Sequence, residues 1–334
     1  MSGIEKMAAT SGGAVWLVSR HAGALEWLRR RTGRADKARN DTDAAARKSG
    51  PYERIIAVES LREGWRRVRA NGGGAGGDGQ TLEDFARRLE EELHRLHKEL
   101  QRGAYRPGLL RPARMPKADG GWRPLRIPCV RDRVVQASCQ LQLLKLLDAR
   151  QHERSFAYRP GRSVEMALAR LRQDLEEGHV WVVDADIEKF FDNVEHTRLL
   201  RELKQSGVER RVRRLIGLWL PGFGAGGRGL AQGSPVSPVL ANVFLHPVDV
   251  ALQAHGVRFV RYADDFVLAC RTQRAAGEAR HLAARLLAKR GLRLHTGKTR
   301  VVSAAEGFVF LGQQVRLRVE MRKVEATGME AGRW

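Results

Sequence analysis

Cysteine is scarce in this chain of 334 residues, which has three, Cys129, Cys139 and Cys270. Their spacing suits neither disulfide pairs nor a zinc site, so a disulfide scaffold is excluded and buried thiols in a reducing compartment are expected. Long apolar runs are missing too. None approaches the ~20 residues of a membrane span, and Ala14–Val18 is too short and poorly flanked for a signal peptide. The expected setting is cytoplasmic, with no membrane partner. Acidic residues are outnumbered, 38 against 60 Lys and Arg, for a formal charge of +22. Hydrophobic content, by contrast, is ordinary at 43%, which excludes global disorder. The length suffices for two or three domains or subdomains. The positive excess favours polyanionic partners, nucleic acid above all, although a thermophilic or GC-rich source would also raise arginine without any binding role.

Against that background two acidic islands sit inside apolar runs. Asp184 and Asp186 lie in the stretch Val180–Asp192, and Asp264 and Asp265 in the stretch Arg258–Cys270. Ionised carboxylates are costly in a core unless they are paired or coordinate metal. Brought together on adjacent strands, Asp186 and Asp264 would hold Mg²⁺, and a metal pair stabilises both the attacking and the leaving oxygen of phosphoryl transfer. With the surrounding positive charge, the expected chemistry is phosphoryl transfer on nucleic acid. Asp-Asp is also good turn chemistry, so Tyr262-Ala-Asp-Asp265 taken alone reads more readily as a plain turn than as a metal site.

Periodicity places these islands among regular elements. Helical spacing covers 52–70 and ends in the glycine-rich stretch Asn71–Gly79, read as a flexible loop because no Lys-Ser/Thr signature follows it. Thr81-Leu-Glu-Asp84 is a capping box opening one helix to about Gln101. Arg111–Pro128 reads as a basic hairpin turning at Asp119-Gly120-Gly121. Helices are expected over 131–150, 164–177, from 195, over 208–220, to 254 and over 274–290. Strands are expected over 179–186, in a hairpin over 258–270, after Thr299, and in a final hairpin from Phe308.

In this order the segments resemble the reverse transcriptases of the group II intron lineage, over roughly residues 80–315. Seven motifs carry the likeness: Arg123-Pro-Leu-Arg-Ile-Pro128 with Arg131-Asp-Arg-Val-Val-Gln136, Phe156-Ala-Tyr-Arg-Pro-Gly-Arg-Ser163, Asp186-Ile-Glu-Lys-Phe-Phe-Asp-Asn193, Gln232-Gly-Ser-Pro-Val-Ser-Pro238, Tyr262-Ala-Asp-Asp265, Gly291 through Lys298, and Phe310-Leu-Gly312. The resemblance implies an RNA-directed DNA polymerase of α+β class, with right-hand fingers and palm, the palm an antiparallel sheet with packed helices, and the thumb reduced or absent. The implied division is a strand–helix segment over 1–31, then a linker, helix and Gly-rich loop over 32–79. Fingers follow over 80–178, a palm over 179–305, and a primer-grip hairpin with tail over 306–334.

The resemblance also assigns roles. Asp186, Asp264 and Asp265 would form the catalytic cluster. With the carbonyl of Ile187 they would hold two Mg²⁺ ions, for which Mn²⁺ substitutes. Lys298 would protonate the pyrophosphate leaving group, its alternative being a solvated helix-end lysine. Lys117 and Arg123 would neutralise the triphosphate, Phe191 would crowd a 2′-hydroxyl, and Gln232 would shape the floor beneath the templating base. Arg159, Arg162, Leu311 and Gly312 would contact nucleic acid. Phe190 is expected in the core, on the argument that strand neighbours point oppositely. Asp184 is expected to share the face of Asp186, and Asp192 to cap the following helix. The implied partners are an RNA template, a DNA or RNA primer and deoxynucleoside triphosphates.

Only about 20 residues follow Phe310-Leu-Gly312, where mobile-intron members carry a thumb, a splicing domain and often an endonuclease. Intron splicing is therefore not expected, and a partner protein or bound RNA is expected to supply the missing grip. Val15–Trp27 resembles the opening of a small family of CRISPR-associated accessory proteins, with chance as the rival account. It implies spacer acquisition or other phage defence as the setting and CRISPR adaptation integrase proteins as partners. Two other readings stand beside the leading one: a template-independent polymerase in defence, and a non-catalytic RNA-binding assembly module. RNA binding alone gives no reason for acidic clusters near phosphates, which weighs against the second.

Overall fold

The computed structural model describes residues 50–116 and 121–317. The elements expected over 14–31, Lys117, the Asp119-Gly120 turn and the tail beyond 317 lie outside the described residues. Pro51 at the first helical position opens α1 (Pro51–Ile56), which breaks at Ala57 (φ −56°, ψ 137°) before α2 (Val58–Asn71). One helix was the expectation. The break lets Ile55 and Ile56 on one segment and Leu61, Trp65 and Val68 on the other reach the same buried helix, α5 (Val130–Leu147). The α2–α5 crossing is close enough that a Cβ at Gly64 would stand 2.5 Å from the Val134 carbonyl oxygen, so glycine is required there.

The capping box forms as expected. The Thr81 hydroxyl accepts from Asp84 N (3.1 Å) and the Asp84 carboxylate from Thr81 N (3.1 Å). It opens a short α3 (Leu82–Arg87), and a second break at Arg88 separates this from α4 (Leu89–Gln101). The glycine-rich loop is tied down rather than loose. Gly77 N donates to the Leu109 carbonyl (3.0 Å), and Arg111 and Arg133 donate to the carbonyls of Ala75 (2.7 Å) and Gly74 (2.8 Å). It thereby anchors the base of the basic hairpin, β1 (Arg111–Pro116) and β2 (Trp122–Ile127).

The second half is built on a four-stranded antiparallel sheet. Its strands are β3 (Trp181–Ala185), β4 (Arg258–Tyr262), β5 (Asp265–Cys270) and β6 (Arg300–Ser303), in the order β4-β5-β3-β6. Alternation along β3 and β5 sends Val183, Ala185, Phe266 and Leu268 into the main core. There β3 and β5 meet α11 (Gln273–Ala288), while β4 meets α10 (Ser237–Ala254). Val182 and Val267 point to the other face, into a smaller core with α6 (Val164–Glu176) and the terminal hairpin, β7 (Phe308–Phe310) and β8 (Gln313–Val315). Three helices connect β3 to α10: α7 (Phe190–Asn193), α8 (His196–Gln205) and α9 (Arg210–Phe223). The result is the expected α+β architecture. The three cysteines are buried and free, and among the described residues no helix is long and apolar enough to cross a membrane.

Candidate active site

Ala185 pairs with Phe266 across β3 and β5, so the next step of the register brings Asp186 opposite Asp265. Period-two alternation puts Asp184, Asp186 and Asp265 on the face of Val182 and Val267, at the margin of the smaller core. Asp264 lies in the two-residue turn closed by the Tyr262–Asp265 pair. Ala263 takes the left-handed conformation there (φ 62°), as the first loop position of a tight hairpin demands and as a residue with a Cβ resists.

Crowding of carboxylates dominates the electrostatics. Burial pushes Asp265 up to about 7, with the charges of Asp264, Asp186 and Asp184 adding to it and Lys298 opposing. Asp264 is raised by burial and by Asp186, against its own backbone N–H and the charges of Arg123 and Arg261. Asp184 is raised by burial despite Arg300. The Lys298 ammonium stands 3.1 Å from the Asp186 carboxylate. It is carried on a turn that pairs with the end of β3: His295 N donates to the Asp186 carbonyl (2.8 Å) and Glu188 N to the Arg293 carbonyl (2.9 Å). In this antiparallel bridge the flanking residues make the bonds, so the Ile187 carbonyl itself points to the other edge, where β5 begins.

Among the described residues no three His, Cys, Asp or Glu side chains close around one point as a ready-made metal cage. Mg²⁺ seldom needs one, because it takes one or two carboxylates and completes its octahedron with water and substrate phosphate. The crowded carboxylates of Asp186 and Asp264 and the Ile187 carbonyl are hard oxygen donors of that kind, and they fit.

The flanking residues divide. Arg123 is half-buried on the inward face of β2, and its charge reaches Asp264 and Tyr158. The Gln232 carbonyl accepts from Arg126 N (2.9 Å), clasping the loop before α10 onto β2. Gly233 makes this possible, since its φ is +120° and a Cβ would lie 2.9 Å from the Arg126 carbonyl oxygen. Phe190 is buried, as expected, though for another reason, and Phe191 is half-buried against the main core. Both rings belong to the helical turn α7, entered through left-handed Lys189 (φ 44°), and no strand alternation separates them. Asp192 is an exposed member of that turn. Glu195, and not Asp192, sits at the N-terminus of α8. Leu311 (φ 50°) and Gly312 (φ 74°) form the turn between β7 and β8, with positive φ at both central positions.

Arg162 is half-exposed and stacks over the Phe156 ring (5.4 Å). Arg159 requires a correction. Its buried guanidinium donates to the Asp148 carboxylate (2.7 Å) and to the carbonyls of His152 (2.6 Å), Ser155 (2.7 Å) and Asp148 (2.9 Å). Such a group braces its own loop and has little left to offer nucleic acid.

The sequence reading passed over four residues near the site. Tyr158 holds a left-handed backbone (φ 61°), and its phenol is raised by burial and by the charge of Asp264. Arg261, Asp249 and Asn242 form a buried polar group beneath the Ala263–Asp264 turn. An arginine within an apolar strand and an aspartate within an apolar helix were the available signals, since a buried charge demands a partner.

Residues 115–315 match the family model described as reverse transcriptase (RNA-dependent DNA polymerase). Protein YkfC of Escherichia coli is 29% identical over 344 residues, which cover 87% of this chain and 90% of that one. The group II intron-encoded protein LtrA of Lactococcus lactis is 28% identical over 168 residues, 48% of this chain and 28% of LtrA. The chain thus spans most of the first relative and about a quarter of the second. A telomerase of Candida tropicalis, solved in complex with a fragment of telomeric RNA, aligns over 76% of this chain and 50% of its own. Its TM-score is 0.50 at 12% identity, a likeness of fold. A partial Cas6-RT-Cas1–Cas2 complex aligns over 72% of this chain and 42% of that chain, with TM-score 0.45 and 25% identity.

Proposed function

The chain belongs to the reverse transcriptase family, and from that membership we propose that it adds deoxynucleotides to a primer 3′-hydroxyl along an RNA template, at the corner formed by Asp186 and Asp264. The observation that carries this reading is the convergence of Asp186, Asp264 and Asp265 at the ends of neighbouring strands, where burial and mutual repulsion raise Asp264 and Asp265 against the Asp264 backbone N–H and the charges of Lys298, Arg123 and Arg261. Carboxylates arranged against one another in this way favour the arrival of cations. A non-catalytic binding module gains nothing from them.

Asp186 and Asp264, with the Ile187 carbonyl, would hold the ions. The chemistry a bound Mg²⁺ pair supplies is activation of the primer hydroxyl and neutralisation of triphosphate charge. Lys298 carries a proton at Nζ beside Asp186 and serves as the acid for departing pyrophosphate. Arg123 faces the same corner from β2 and binds triphosphate oxygens, the task that the resemblance also gives to Lys117. Gln232 and its loop support the templating base. Arg162 and the Leu311–Gly312 turn guide the nucleic-acid strands. The half-buried Phe191 ring excludes the 2′-hydroxyl. Residues 80–178 act as fingers and 179–305 as palm. The setting in CRISPR spacer acquisition or phage defence, with adaptation integrase proteins as partners, rests on Val15–Trp27 alone and is tested by co-purification with such proteins.

Primer extension on an RNA template with Mg²⁺ tests the central reading, with the same primer lacking template as the comparison. Extension without template would favour the template-independent alternative. Phe191→Ala should admit ribonucleotides. Phe190→Ala should instead cost about 3–5 kcal/mol of stability, the usual loss for a buried ring. Relaxed sugar choice in the Phe190 variant alone would reverse the two roles.

A further inference from the structure

Beneath the catalytic turn, one guanidinium connects three parts of the chain. Arg261, Asp249 and Asn242 are 3%, 1% and 2% exposed. Arg261 grips the Asp249 carboxylate of α10 through two bonds, Nε to Oδ1 (2.8 Å) and Nη2 to Oδ2 (2.6 Å). Its Nη1 donates twice more, to the Asn242 side-chain oxygen (3.0 Å) and to the Ala263 carbonyl (3.0 Å). Asn242 passes the connection on, donating to the Ala157 carbonyl (2.8 Å). The Arg261 backbone pairs with the same segment, its N–H bonding the Arg154 carbonyl (2.9 Å) and its carbonyl accepting from Phe156 N (2.9 Å).

Each of the two carbonyls held in this way borders a strained residue. Ala263 is itself left-handed and directly precedes Asp264. Ala157 directly precedes left-handed Tyr158, whose phenol lies within the fields of Asp264 and Asp265. Left-handed backbone at residues with a Cβ persists only where the surroundings over-determine it. A buried ion pair is also a poor choice for stability alone, because apolar residues of similar volume often do as well or better. Three fixed donors aimed at a carboxylate, an amide and a carbonyl instead define directions.

We infer that Arg261, through Asp249 and Asn242, is the positioning residue of this active site, setting the Asp264 carboxylate against the Ala157–Tyr158 segment so that the metal ligands and the nucleotide-facing wall are held in one register. The inference rests on the reading of Asp264 as a metal ligand.

Arg261→Lys tests it, because lysine keeps the charge beside Asp249 but cannot span Asp249, Asn242 and the Ala263 carbonyl together. Asn242→Ala leaves the Arg261–Asp249 ion pair in place and removes the amide that joins Arg261 to the Ala157 carbonyl. Arg154→Lys is the control, another buried arginine whose side chain holds Asp174 and the Phe259 carbonyl away from the turn. Misplacement by about 1 Å costs on the order of 10²-fold in rate. Arg261→Lys and Asn242→Ala are therefore expected to lower kcat per folded molecule roughly 10–100-fold, to weaken Mn²⁺ binding by the nucleic-acid-free protein, read by electron paramagnetic resonance, and to leave RNA affinity unchanged. Arg154→Lys is expected to lower the melting temperature while keeping kcat per folded molecule and Mn²⁺ affinity. If Arg261→Lys and Asn242→Ala behave as Arg154→Lys does, the group is structural and the inference is overturned. Asp264→Asn separates the two readings: full extension by that variant removes the catalytic assignment itself, whereas its loss together with unaffected Arg261 and Asn242 variants removes only the positioning role.

Discussion

Among the described residues Asp174 and Asp249 lie as deep as any acidic side chain, and arginine meets each of them. Asp174 takes two bonds from Arg154 (2.5 and 3.0 Å) and one from Arg258 (3.0 Å), and Asp249 is gripped by Arg261. Burial alone would raise Asp174, but these bonds and charges outweigh it and hold the group below the usual carboxylate range. Asp264 and Asp265, a few residues from Arg261, have the opposite surroundings. Their nearest strong influences are burial and other carboxylates, and both are raised. The same side chain is thus held ionised where arginines of the chain grip it, as at Asp174, and pushed toward its neutral form where burial and like charges outweigh its partners, as at Asp264 and Asp265.

The strongest test of that contrast removes one charge from each set. Asp186→Asn or Asp264→Asn should reduce primer extension by roughly 10³-fold or more, the loss of several kcal/mol of transition-state stabilisation. Each should leave the melting temperature equal or higher, since repulsion is relieved, and RNA binding largely intact. Near wild-type extension by either variant would end the metal-ligand assignment. In the satisfied set the same logic inverts. Arg154→Ala leaves the buried Asp174 charge with Arg258 as its remaining arginine and should cost about 3 kcal/mol in chemical denaturation.

Acidity should separate the two sets by sign. The folded-state pKa of Asp174 lies below its unfolded value of about 3.9, so its contribution to stability is present above that pH and is lost as pH falls through the folded value. Asp265 is raised from 3.8 to about 7, so in metal-free protein its environment favours folding below the unfolded value and that advantage is lost as pH rises toward 7. Urea melts should therefore show Asp265→Asn gaining on wild type between about pH 4 and pH 7, and Asp174→Asn losing ground as pH rises through about 4. Parallel curves for the two variants would contradict the contrast. The smallest effect is expected at the rim, where exposed Arg300 meets half-buried Asp184 (3.2 Å). Arg300→Ala should change stability by less than about 1 kcal/mol, and a larger loss would place Asp184 with the satisfied acids.

Much of this architecture was legible beforehand because the signals are local. Thr81 and Asp84 are three residues apart, so a capping box is visible in the sequence alone and forms as read. The hairpin over 258–270 appears with its turn at Ala263–Asp264. The helix breaks at Ala57 and Arg88 were not legible. Neither position carries proline or glycine, and the breaks answer to surfaces supplied by distant segments. The glycine-rich stretch read as loose because nothing within it shows Leu109, Arg111 and Arg133 closing on it.

Sequence by itself singled out the acidic residues of the proposed site and determined which face of the strand they share. Alternation is a property of the extended backbone, so Asp184 and Asp186 lie on one side of β3 whatever surrounds it. Tertiary structure alone decided what each charge meets. Arg159, Arg162 and Arg261 are indistinguishable as letters in basic or apolar stretches. Yet Arg159 braces its loop on Asp148, Arg162 lies at the surface over Phe156, and Arg261 reaches Asp249, Asn242 and the Ala263 carbonyl. A guanidinium takes its role from the acceptors within about 3 Å of it, and those are delivered by chain segments that no local pattern can bring into view.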